Sequence, residues 1–276
     1  MFQLPEARTR ASYSFTDIAE GFKIQCRVIG ALVLRDAQTR YGQHKLGFIW
    51  LFLEPVLLVI LFILWKVFIK DSSSAGMHDA YFITSGIVPF LLFRQLMQIL
   101  ANGISASRSL LAFPQVTTFD VLIATVLLEV AASLFVFGSL TAAISILDVP
   151  PRIDNPLMVL YGMLLLGLTG TGAGMVFGSL SPIYPSIRTI TNPLLGRPLF
   201  FTSGIFFTAE MLPPEIREYL LWNPLLHMVE IIRSAFFIEF ESRFIDWHYA
   251  TLFAVSLFML GLLCHQVFRD QVLKRG

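Results

Sequence analysis

The chain has 276 residues, of which 55% are hydrophobic and 14% charged, with a net charge of +1 and a mean hydropathy of +0.71. Soluble chains carry roughly 25% charged residues, so an ordinary soluble domain is excluded. The near-zero net charge gives no global signal for nucleic-acid binding. Two cysteines, Cys26 and Cys264, are too few for a disulfide framework. Both are expected to be free thiols on or near the reducing side.

The N-terminal arm carries Arg8, Arg10, Lys23 and Arg27 and lacks the apolar core of a cleavable signal peptide. Phe15, Ile18, Phe22, Cys26, Ile29 and Val33 recur at three- and four-residue steps, the period of one helix face. Asp17, Glu20, Lys23 and Arg27 sit off that stripe. Two placements fit this helix: flat on the inner membrane surface, or packed against another part of the same chain. Residues 1–45 read as a cytoplasmic arm and residues 46–276 as one membrane domain.

Arg35, Asp36, Arg40, Tyr41, His44 and Lys45 run directly into a long apolar stretch interrupted by Glu54, Pro55 and Lys66. A spanning helix needs about 20 mostly apolar residues. Six segments qualify, at 46–69, 81–104, 119–147, 156–180, 190–207 and 249–268, the fifth being the shortest. The expected fold is an all-α polytopic membrane protein with six transmembrane helices. No loop has room for a soluble catalytic domain.

Positive charge sets the orientation. The arm, the tail (Arg269, Lys274, Arg275) and the loops holding Arg108 and Arg188 share one side, which is expected to be cytoplasmic. The segment 208–246 then faces outward, with seven acidic residues against three arginines. It is helix-like, mixing apolar and charged residues, and suggests short re-entrant helices between spans five and six. Re-entrant backbone is tolerated where it is buried in protein or lines a wet cavity.

Several features resemble chemistry and fail on context. Gly170, Gly172 and Gly174 lie inside an apolar span, not between a strand and a helix as a phosphate loop requires. Gly170, Gly174 and Gly178, spaced by four, fit a close-packing helix face instead. No P-loop is present, so the chain is not expected to hydrolyse ATP itself. The five histidines form no metal-binding pattern, and no nucleophile elbow occurs. The chain is therefore read as a non-enzyme with no cofactor of its own.

Glu129 lies within the third expected span. A carboxylate there is costly and faces a cavity or a partner. A structural or gating pair and a direct cargo contact are both open. Glu54, Arg94 and Arg197 lie nearer the span edges. Around the outward segment cluster Phe201, Phe206, Phe207, Tyr219 and Trp222. Such rings could stack on the C–H faces of sugars or form an interfacial belt.

The stretches LRDAQTRYGQHKLGFIWLFLEP (34–55), GIVPFLLF (86–93), LLE (127–129) and LLWNPLLHMVEIIRSAF (220–236) together resemble the permease subunit of type-2 ATP-binding-cassette transporters, in the capsular polysaccharide export branch. The resemblance implies a homodimer with two copies of a separate cytoplasmic ATPase, which binds ATP and Mg. The implied cargo is a lipid-linked polysaccharide. A periplasmic polysaccharide co-polymerase and an outer-membrane channel are implied as further partners. It places coupling to the ATPase in the arm and the loop between spans two and three, here Arg35, Asp36, Arg40, Tyr41, Arg108 and Phe113. That loop has one basic residue, Arg108, where relatives often have more. An exit gate is expected from Phe201, Tyr219, Trp222, Asn223, Pro224, His227 and Glu230, with Glu54 and Glu129 as intramembrane charges. Competing readings are an O-antigen or teichoic-acid exporter, a drug or lipid exporter of the same class, and an intramembrane glycan-modifying enzyme.

Overall fold

The computed structural model describes residues 15–39, 47–69, 77–106, 116–147, 153–184, 186–191, 195–238 and 240–275. Among these the regular structure is entirely helical. The arm helix α1 runs over Phe15–Ala37. Helices α2 (Gly47–Ile69), α3 (Asp79–Ala106), α4 (Thr118–Leu147) and α5 (Pro156–Leu180) follow. Then come the short helices α6 (Ser186–Thr191), α7 (Arg197–Thr202), α8 (Pro214–Leu220) and α9 (Pro224–Phe236), and the long α10 (Trp247–Arg275). Among the described residues, four helices are long and apolar enough to cross a membrane: Asp79–Asn102, Thr118–Leu147, Pro156–Leu180 and Trp247–Phe268. A shorter apolar stretch, Leu51–Trp65, lies in α2.

The expected fifth span, 190–207, is not one continuous helix. α6 ends at Thr191, α7 spans only Arg197–Thr202, and a non-helical stretch follows to Thr208. The local sequence explains the end after Thr202: Gly204 takes a φ of +74° that side chains other than glycine rarely adopt.

α5 is the centre of the bundle, packed on α3, α9 and α10. Its N-terminus is set by Asn155, whose side chain accepts from the Met158 N–H at 3.2 Å, with Pro156 in the first turn. Its glycines bring neighbouring backbones into contact. A Cβ on Gly170 would stand 2.5 Å from the Phe93 carbonyl oxygen, and one on Gly174 2.7 Å from Leu100 Cβ, both in α3. Gly172 points the other way: a Cβ there would meet the Leu257 carbonyl of α10 at 2.7 Å, and Gly261 returns the contact against the Gly172 oxygen. Small residues let helices approach this closely where no hydrophobic effect drives them together.

α9 is too short to span, at about 20 Å for its 13 residues. It is almost entirely buried, with Leu225, Met228, Val229, Ile232 and Phe236 in the same apolar core as Phe82, Ile87, Phe90 and Leu166.

Candidate exit gate and coupling surface

The break after α7 leaves backbone carbonyls without helical partners, and buried polar groups need partners. Arg233 of α9 supplies the donors. Its Nη1 donates to the carbonyls of Phe207 at 2.7 Å and of Gly204, and its Nη2 to those of Ile205 at 2.6 Å and Phe82 at 3.4 Å. The guanidinium lies 3.8 Å from the Phe82 ring centroid and is fully buried. One turn earlier, Glu230 accepts from the Ala209 N–H and from the Ser242 hydroxyl at 2.6 Å. α9 thus grips the broken segment at two levels.

His227 adds a third tie. Its Nδ1 accepts the Asp246 N–H at 3.1 Å, which leaves Nε2 to donate to the Leu221 carbonyl at 2.8 Å. Those two bonds select the neutral Nε2–H tautomer. Asn223 caps α9 by accepting from the Leu225 N–H at 3.0 Å, and Pro224 opens the helix. The Asn223 amide donates to the hydroxyls of Thr202 at 3.1 Å and Ser203 at 3.4 Å. Tyr249 O–H donates to the Trp222 carbonyl at 2.8 Å.

The expected gate residues therefore divide. Asn223, His227 and Glu230 spend their hydrogen bonds inside the chain. Trp222, Tyr219 and Phe201 stand 81%, 80% and 64% exposed. The Asn223 tie to the end of α7 brings the Trp222 loop beside Phe201, whose ring lies 5.3 Å from Phe200.

Of the expected coupling residues, Arg40, Tyr41, Arg108 and Phe113 lie outside the described residues. Arg35 pairs with the adjacent Asp36 at 2.5 Å. Glu129 is 3% exposed on the face of α4 that also buries Thr125 and Ser133. Glu54 pairs with Arg94 of α3, and its side chain is 45% exposed. Among the described residues, no group of three or more His, Cys, Asp or Glu is placed to hold a metal.

Sequence reasoning passed over Arg233, whose only local signal is an arginine within the apolar run MVEIIRSAF. It also passed over the cluster at the start of α4. There Asp120 is fully buried and accepts from the Gln25 side chain of α1 and from the Thr117 N–H at 2.8 Å.

Several long apolar helices packed around a buried polar cluster define a multi-pass membrane protein. Residues 27–237 match the family described as ABC-2 type transporter, and the chain belongs to that family. It is 29% identical over 255 residues to the polysialic acid transport protein KpsM of Escherichia coli, covering 92% of this chain and 98% of that protein. It is 31% identical over 258 residues to the capsule polysaccharide export inner-membrane protein CtrC of Neisseria meningitidis serogroup A, covering 90% and 93%. To the capsule polysaccharide export inner-membrane protein BexB of Haemophilus influenzae it is 27% identical over 255 residues, with the same coverage.

Proposed function

We propose that this chain is the inner-membrane permease of a capsular polysaccharide exporter, moving a lipid-linked polymer from cytoplasm to periplasm with energy from a separate ATPase. One observation carries the reading: similarity over 90% or more of the chain to three proteins named for capsule or polysialic acid transport.

In this reading the chain has a cytoplasmic arm, residues 1–45, and a membrane domain, 46–276, with both termini cytoplasmic. Six crossings are made by α2, α3, α4, α5, the broken α6–α7 and α10, while α8 and α9 re-enter from the outer side. Two copies form the permease and two ATPase subunits bind the arm and the loop before α4. Co-polymerase and outer-membrane channel complete the route.

The exposed stripe of α2 supports a second copy at that face. Leu57, Leu61, Leu64 and Phe68 follow Glu54 at alternating three- and four-residue steps, all exposed. A half-exposed carboxylate in a span is costly against acyl chains and fits a protein seam or wet channel.

A long hydrated polymer must slide, so its contacts have to release as readily as they form. Exposed Trp222, Tyr219 and Phe201 suit this role, because an aromatic face grips a sugar ring without deep hydrogen bonding. Asn223, Pro224, His227 and Glu230 hold those rings in place. Arg35, Asp36, Arg40, Tyr41, Arg108 and Phe113 are assigned to the ATPase contact, and Glu129 to a structural pair.

The experiment is deletion of the gene with glycan staining of thin sections and fractionated lysates. Polymer trapped in the cytoplasm is the expected result. Surface glycan in normal amount would end the polysaccharide reading.

A further inference from the structure

The first turn of α4 collects more of the molecule than a helix start requires. Asp120 Oδ2 accepts the Thr117 N–H and the Thr117 hydroxyl, each at 2.8 Å, and the Asp120 N–H returns a bond to Thr117 Oγ1 at 3.3 Å. This reciprocal cap satisfies two backbone donors at the helix end without help from α1. Exposed caps of this kind leave the second carboxylate oxygen to water. Here Oδ1 accepts instead from Gln25 Nε2, 95 residues away in α1, and the carboxylate is sealed from solvent. A buried carboxylate is tolerated only with its acceptors filled, so the partner from α1 is a requirement of the site.

The arm has little other purchase on the bundle. Among the described elements α1 packs chiefly on α4, while Phe22, Ile24 and Leu34 remain exposed. The next residue, Thr118, meets His265 Nε2 of α10 at 3.2 Å, and the Phe119 ring stands edge-on to the same imidazole at 5.2 Å. Three parts of the chain thus converge on one turn: the arm through Gln25, Thr117 just before the helix, and α10 through His265.

We propose that Asp120 is a positioning residue that makes the arm and the loop before α4 move as one body, so that a push on either is delivered to α4. This rests on the exporter reading, in which the ATPase pushes on those two regions. Asp120 touches neither cargo nor nucleotide. It acts through Gln25 and Thr117.

The test exploits the polarity of the bond. Gln25→Glu sets two carboxylates face to face and leaves the Thr117 cap untouched. Adding Asp120→Asn restores a donor–acceptor pair with its direction reversed. Surface glycan is measured in cells at matched membrane levels of the chain. In parallel, spin labels on the native Cys26 of α1 and Cys264 of α10 report how tightly the arm is held in the detergent-purified chain. Gln25→Glu is expected to lower surface glycan about tenfold, the scale of one frustrated buried polar group, and to broaden the label distance. The double variant is expected to recover both. Normal export and an unchanged distance in Gln25→Glu would overturn the proposal, as would a double variant that recovers neither. If deletion of the gene leaves surface glycan intact, the export reading falls, and an unbroadened distance would then separately remove the tie between arm and α4.

Discussion

Gly86 makes the space that Arg233 occupies. A Cβ built on Gly86 would stand 2.9 Å from Arg233 Nη2 and 3.1 Å from Ile205 Cα. The hole in α3 and the guanidinium from α9 are therefore one device, and it holds the carbonyls of the broken segment after α7. Gly86→Ala must displace either backbone or an arginine whose two terminal nitrogens are both engaged, and overpacking of this kind costs about 1–3 kcal/mol. The detergent-solubilised variant is expected to melt several degrees lower than the parent. An unchanged melting temperature would mean that Arg233 has slack the geometry does not suggest.

Arg233→Met keeps the length of the side chain and removes every donor. The carbonyls of Ile205 and Phe207 then lose their bonds at 2.6 and 2.7 Å. Each buried polar group left unmade costs about 1–3 kcal/mol. The expected outcome is loss of the monodisperse species in size-exclusion chromatography, and a protein that still runs as one sharp peak would count against the role assigned to Arg233. Glu230→Gln is expected to be much milder, because an amide oxygen still accepts the Ala209 N–H and the Ser242 hydroxyl can accept in turn.

A pair of glycine substitutions separates packing from helix propensity. Gly172→Ala pushes a methyl group to 2.7 Å from the Leu257 backbone, where α5 crosses α10. A methyl group on Gly138 of α4 would meet nothing within 4 Å, so Gly138→Ala is expected to be neutral or to stabilise by up to about 1 kcal/mol, the ordinary preference of a helix for alanine. Melting temperatures that fall equally in both would remove the close-packing account of Gly172.

The contrast between those two glycines also marks what the sequence could convey. Four-residue spacing made Gly170 and Gly174 legible as a packing face, and both do meet α3. Gly172 lies off that spacing, and only the position of α10 reveals its partner. The same boundary runs through the helices. The Asn-Pro at 155–156 and the uninterrupted apolar run behind it make α5 readable to the residue. The run after Ile190 has apolar content enough for a span, and hydropathy outweighed Gly204 in reading it as helical to 207. At the candidate gate, Asn223-Pro224 announces a capped helix start locally. Arg233 announces nothing, because its acceptors come from Phe82 and from 204–207, two segments brought together only by the fold. Burial of His227 and Glu230 was unreadable for the same reason.

The ion pair between Glu54 and Arg94 joins α2 to α3 with the carboxylate half exposed. If that face meets a second copy or a wet channel, Glu54→Gln weakens the tie without exposing an unpaired charge to lipid on its own side. Arg94 is then left short of its counter-charge, and export is expected to fall. The swap Glu54→Arg with Arg94→Glu restores the pairing and is expected to recover part of the loss. Surface glycan at matched membrane levels is the readout. Equal loss in the swap and in the single variant would show that the position of each charge matters, not the pairing.

Trp222 offers the cleanest separation of fold from transport. Its ring is 81% exposed, while its carbonyl holds the Tyr249 hydroxyl at 2.8 Å. Trp222→Ala therefore removes the aromatic face and keeps the backbone tie, and surface substitutions of this kind change stability by roughly half a kcal/mol or less. The melting temperature is expected to hold. Surface glycan is expected to drop several-fold, in line with about 1–3 kcal/mol for a lost stacking platform if a sugar face is held as strongly as a base. Tyr219→Ala on the preceding helix tests the same surface from its other exposed ring. Trp222→Phe should retain most of the export, since it keeps a flat apolar face. Normal export in Trp222→Ala would remove the sliding-contact role from this surface and leave its rings as part of the interfacial belt. A drop that Trp222→Phe does not repair would point instead to the indole N–H, and so to a hydrogen bond with the polymer rather than stacking.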